Sequence, residues 1–157
     1  MGKDYNRANI SLSDNTEIVG HFESEKNFNI QKVRKWYSFR EEKIIRVKEK
    51  YSSINFIQSI GLHLRLCDKE INKYFKKIYY VPRLQYYIDA LDHLDSYENL
   101  LIFSDNISAA RDFFKNLNSS RIIYMQDNAD WEDLYLMTQC RDFVCGASTL
   151  GWWGAWL

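Results

Sequence analysis

Leu100-Leu101-Ile102-Phe103 is an uninterrupted apolar run closed by Ser104-Asp105-Asn106. A strand without polar alternation has no face to offer water, so it belongs inside a parallel sheet covered by helices on both sides. The neighbouring segments agree. Ile60, Leu62, Leu64 and Leu66 occupy every second position, with Gly61, His63 and Arg65 between them, which is the period of a strand. Arg121–Met125 and Phe143–Cys145 read as two more strands. Helical patterns lie between them. Pro82 stands as the first-turn residue of a helix with the stripe Leu84, Tyr87, Ile88, Leu91 and Leu94. Ser104-Asp105-Asn106 supplies cap residues for a second helix carrying Ile107, Ala110, Phe113, Phe114 and Leu117, and a third has Trp131, Leu134 and Met137 on one side.

From about Ser53 onward this alternation predicts an α/β fold, a Rossmann-like parallel sheet with flanking helices. Such sheets bind ligands outside the carboxyl ends of their strands. The polar residues expected there are Arg65 and Asp68, Ser104 to Asn106, Asp127 and Asn128, and Ser148 with Thr149. Arg65 offers a planar fork suited to phosphate oxygens, or a partner for Asp68 or a helix carboxylate. Asp105 belongs either to a capping turn or to the edge of a nucleobase. Gly146, Ser148, Thr149 and Gly151 are small or hydroxyl-bearing and permit close backbone approach to a ligand at a helix N-terminus. His21 and His93 stand alone, and Gly20–Lys26 reads as a loop.

Composition narrows the chemistry. Lys+Arg and Asp+Glu are 21 each, so charge makes no case for nucleic acid or an anionic membrane. No apolar run nears the ~20 residues of a membrane span, and the N-terminus lacks the apolar region of a signal peptide. Cys67, Cys140 and Cys145 have no metal-ligand spacing, and a reduced, cytoplasmic chain accounts for them, with the inner membrane face as the place of any peripheral attachment. Gly-rich dinucleotide, P-loop and nucleophile-elbow patterns are absent from the sequence. Three of the five tryptophans, Trp152, Trp153 and Trp156, fall in the last six positions, where an aromatic cluster calls for a partner surface, a ligand or more chain.

Ser148–Leu157 resembles the S-T-F-S-W-W-G-A-W-L signature of the alpha-1,2-fucosyltransferases of glycosyltransferase family 11. Asp133–Cys140 is similar to that family's D-L-x-L-M-S-x-C, Phe103–Asn106 to its F-S-D-D, and Gly20–Phe28 to its G-Y-F-Q-S-E-K-Y-F. The resemblance implies the C-terminal, donor-binding half of a GT-B-type enzyme. Such an enzyme moves L-fucose from GDP-fucose to a galactose hydroxyl of a glycan, inverting the anomeric centre without a metal or other cofactor. It implies that Arg65 holds the pyrophosphate, that His63 and Asp105 contact the guanosine, and that Ser148, Thr149 and Gly151 line the phosphate and sugar side. Asp68 occupies the motif's acidic position beside Arg65 in the catalytic group.

Two departures qualify this. The family's H-x-R-R-x-D is His63-Leu64-Arg65-Leu66-Cys67-Asp68 here, which puts one phosphate contact in doubt. The glycine-rich G-G-L-G-N-Q-M-F-Q is absent. The expectation is therefore a truncated chain, with residues 1–50 a remnant of the acceptor-side or interdomain region. Residues 51–157 form the nucleotide-sugar domain, incomplete at its C-terminus and open to association with a missing half or another chain. A remnant that only binds GDP or GDP-fucose, and a non-enzymatic interaction domain using the aromatic tail, are the alternatives.

Overall fold

Four segments take up extended backbone where the sequence patterns place strands: β1 (Ser59–Leu64), β2 (Asn99–Ser104), β3 (Ile122–Tyr124) and β4 (Asp142–Cys145). They belong to a computed structural model that describes residues 13–15, 17, 29–66, 80–117 and 121–157. The expected Gly20–Lys26 loop, His21, Cys67 and Asp68 lie outside the described residues. The chain divides into two compact units, Met1–Ser38 and Phe39–Leu157. In the first, α1 (Ile30–Trp36) is capped by Asn29, whose side chain accepts the Lys32 N–H at 3.0 Å.

The second unit opens with α2 (Glu41–Lys50). The strands are linked by α3 (Leu84–Asp92), α4 (Ile107–Phe113) and α5 (Asp130–Gln139), and α6 (Thr149–Trp156) follows β4. All pairings are parallel, in the order β3-β2-β1-β4. This is the order of one half of a doubly wound sheet, and the winding reverses between β1 and β4.

Both sheet faces are covered, as the Leu100–Phe103 run demands. Ile60, Leu62, Leu64, Leu100 and Ile102 pack with Tyr87 and Leu91 of α3 and with Ala110 and Phe114. On the other face Leu101 and Phe103 meet Ile44 and Val47 of α2 and Tyr135, Leu136 and Met137 of α5. The alternation in β1 therefore sorts one core from another rather than core from water, since Gly61 and His63 are buried too. A Cβ on Gly61 would run into the Phe143 ring and stand 2.9 Å from Cys140 Sγ.

Two local expectations are corrected, and the tryptophans take an unexpected place. α3 starts at Leu84, after Arg83 in an extended conformation, so Pro82 precedes the cap instead of opening the first turn. α5 buries Tyr135, Leu136 and Met137 in succession and leaves Trp131 40% exposed. A helix packed by α2 on one side and α6 on another has no single apolar stripe. In α6 the buried residues are Gly151 and Gly154 rather than the tryptophans. Trp152, Trp153 and Trp156 are half-buried and pack on one another, with 152 and 156 stacked at 5.9 Å and an interplanar angle of 11°. A helix lying directly over its neighbours can approach only on its small residues. A Cβ on Gly154 would meet Met137 at 2.7 Å.

Gly61→Ala should destabilise the fold by roughly 1–3 kcal/mol through overpacking. Urea unfolding would show this as a lower midpoint at unchanged slope.

Candidate functional site

With four parallel strands, every carboxyl end reaches the same edge. Register decides what meets there. Leu64 pairs with Ser104, so Arg65 and Asp105 leave β1 and β2 side by side. Arg65 Nε forms an ion pair with Asp105 Oδ2 at 3.2 Å, and the Leu66 N–H donates to Asp105 Oδ1 at 2.9 Å. The Asp105 side chain is 16% exposed and that of Arg65 38%. Its neighbours do the capping. The Asn106 N–H donates to Ser104 Oγ at 3.2 Å, and Asn106 Oδ1 accepts the Ala109 N–H at 3.0 Å at the start of α4.

At the winding reversal, His63 and Cys145 form the last pair between β1 and β4. The carbonyls of both are held. That of His63 accepts the Gly146 N–H at 3.2 Å and the Tyr87 hydroxyl at 3.3 Å, and that of Cys145 accepts the Tyr86 hydroxyl at 2.9 Å. Burial pushes both phenols up, with Cys145 adding to the effect on Tyr86 and Tyr86 to that on Tyr87, so they remain donors. The sequence offers Tyr87 only as part of an apolar stripe and gives no signal for Tyr86. Beyond Cys145 the chain turns through Ser148, whose Oγ accepts the Gly151 N–H at 3.4 Å and caps α6. The His63 ring lies beneath that first turn, where a Cβ on Gly151 would stand 2.8 Å from His63 Nδ1 and from Cys145 Sγ. The structure thus brings Arg65 to Asp105, and His63 to Gly151 and the capped N-terminus bearing Thr149. Asp68, the other expected catalytic residue, is not among the described residues.

A third group lies past β3. Asp127 adopts φ 58°, in the left-handed region that aspartate tolerates better than most residues. Lys50 Nζ reaches over from α2, donating to the Asp127 carbonyl at 2.8 Å and to Asn128 Oδ1 at 2.7 Å. Tyr51 donates to the same Oδ1 at 2.8 Å, and Asn128 Nδ2 passes the chain on to Asp133 Oδ1 at 2.8 Å. Burial lifts the Asp133 carboxyl to about 6; Asp130 and Glu132 add to this, while the Asn128 hydrogen bond and Lys50 oppose it. A carboxyl raised from 3.8 favours the protonated fold. Its stabilisation is fully present below pH 3.8 and is lost as pH rises through 6. Asp133→Asn should therefore stabilise the protein by about 2–3 kcal/mol at pH 8 and flatten the decline between pH 4 and pH 6, as read by denaturant titrations across pH.

Other chemistry is muted. Burial pushes the Cys140 thiol up to about 12, which leaves it inert. Among the described residues no group of three or more His, Cys, Asp or Glu could hold a metal ion, and no helix is long and apolar enough to cross a membrane. A cavity of about 270 Å³ lies among α2, the turn before β1 and α5, and none of the expected site residues lines it.

The sequence profile of Glycosyl transferase family 11 matches residues 15–157. The chain belongs to glycosyltransferase family 11. It is 27% identical to an "Alpha-1,2-colitosyltransferase" of Escherichia coli over 157 residues, covering 96% of this chain and 54% of that one. It is 30% identical over 104 residues to the Escherichia coli "O-antigen biosynthesis glycosyltransferase WbnK", covering 62% of this chain and 33% of that one. The chain thus spans about half the length of the first relative and a third of the second. No solved structure gives a significant match.

Within this chain, Leu66 stands out by its burial. It is 3% exposed and belongs to the core on the α3–α4 face, continuing the series Ile60, Leu62 and Leu64, while its N–H serves Asp105. The side chain at this position supports the fold. Leu66→Arg, which restores the arginine pair of the motif, should cost about 3 kcal/mol or more by burying a charge. A lower melting temperature without a gain in GDP affinity is the expected result.

Proposed function

We propose that this chain is the nucleotide-sugar-binding part of a GT-B-type α-1,2-fucosyltransferase that moves L-fucose from GDP-fucose to a galactose hydroxyl of a glycan, with inversion and without a metal. The observation that carries the reading is the Arg65 guanidinium, tied down at the end of β1 on the edge where the capped N-terminus of α6 follows β4. A planar cation and a helix N-terminus on one edge suit a diphosphate. Arg65 then holds the pyrophosphate, His63 lies on the guanosine side, and Ser148, Thr149 and Gly151 line the phosphates and the sugar. The acceptor hydroxyl attacks C1 of the sugar opposite the nucleotide, and its proton passes to a carboxylate, for which Asp68 is the candidate. The C1–O bond to the diphosphate breaks, and GDP departs with its new charge met by Arg65 and the α6 amides. Phe39–Leu157 supplies the donor side, working in the cytoplasm with an acceptor-side partner segment or chain.

Colitose is the competing sugar, because the relative aligned over nearly all of this chain is named for its transfer. Calorimetry separates the steps. GDP should bind the wild type, and Arg65→Ala should weaken it roughly 10- to 100-fold, the equivalent of ~1.5–3 kcal/mol for a charged hydrogen bond. Absence of GDP binding would remove the reading altogether. Radiolabelled transfer to a galactoside then ranks fucose against colitose, and binding without transfer would mark this chain as donor-binding alone.

A further inference from the structure

We propose that Asp105 is a positioning residue: it sets the plane of the Arg65 guanidinium for a diphosphate and does not read the nucleobase. The inference rests on the nucleotide-sugar reading above.

The carboxylate is itself fixed first. Its Oδ1 accepts the Leu66 main-chain N–H at 2.9 Å, and the Leu66 side chain is anchored in the core at 3% exposure. Parallel register places this group one residue beyond the Leu64–Ser104 pair, so two adjacent strands determine where it stands. Oδ2 then takes Arg65 Nε at 3.2 Å. Nε is the inner nitrogen of the guanidinium, nearer the backbone than the two terminal amino groups. A grip there restrains the rotations of a long side chain. Arginine otherwise surrenders considerable rotamer freedom when it binds an anion, and a fork already oriented surrenders less.

The charge of Asp105 pulls the other way. A carboxylate beside an arginine opposes an incoming diphosphate by Coulomb's law. The two effects therefore predict opposite signs for its removal: charge alone makes Asp105→Asn bind tighter, and lost orientation makes it bind more weakly. Orientation should prevail, because the attached main-chain amide fixes the geometry while solvent at the half-exposed arginine screens the repulsion.

Calorimetric titration with GDP, ADP and inorganic pyrophosphate tests this on the wild type, Asp105→Asn, Arg65→Ala and the double variant. Asp105→Asn, which keeps an oxygen for the Leu66 N–H, should weaken all three ligands by one common factor of roughly ten. In the Arg65→Ala background it should add no further loss, because Asp105 acts through Arg65. Asp105→Glu retains the charge but shifts the grip by one methylene, and should also weaken all three. This second variant keeps the test available if the first folds poorly. Tighter binding by Asp105→Asn, a loss confined to GDP, or an equal loss in both backgrounds would overturn the proposal while leaving the nucleotide reading standing. A wild type that binds none of the three overturns both.

Discussion

Parallel pairing is the constraint on which the rest of this structure depends. A parallel sheet must be covered on both faces, and each crossover returns the chain to the same starting edge. The consequences appear at both ends of the strands. At the amino edge, Arg141 ties the loop before β2 to the start of β4, donating to the Ser96 and Asp95 carbonyls and to Asp142. That arginine is used up in holding the fold. At the carboxyl edge, Arg65 is held through a side chain that is itself pinned to main chain. The same residue type is a fold element at one edge and, in the proposed function, a ligand-binding group at the other.

Close approach is the second theme. β1 admits Phe143 across Gly61, and α6 comes down over His63 and Met137 on Gly151 and Gly154. In each case the missing side chain matters more than those present. The tryptophans of α6 are consequently turned aside to pack on each other, half in water, while the glycines form the buried face. An aromatic signature that looks like core is thus the flank of a helix whose inner side is nearly bare.

The polar braces explain how loops hold a site that spans several strands. Tyr86 and Tyr87 seize the carbonyls of the last β1–β4 pair, and Lys50 and Tyr51 seize the loop after β3. Each brace comes from a helix packed on the sheet, so core packing and site geometry are coupled. Asp133 shows the cost of such networks, since its carboxyl is buried at the end of one and favours its proton.

Much was legible in the sequence. Apolar runs marked β2, β3 and β4, and a period of two marked β1. A helix cap was legible within Ser104-Asp105-Asn106 from its place after a strand, though only the structure picks out Asn106, and the gathering of Arg65, Asp105 and Ser148 at one edge followed from a parallel sheet. What the sequence could not show are the relations set by register and helix docking. Arg65 meets Asp105 because two strands 40 residues apart align Leu64 with Ser104. Lys50 grips a loop 77 positions away. Leu66 turns inward although the motif it belongs to has an arginine there. Local patterning records which face of a strand or helix is apolar, and thereby determines the architecture and the edge where chemistry gathers. Which side chains touch across that edge depends on distances between segments remote in sequence, and only tertiary packing decides those.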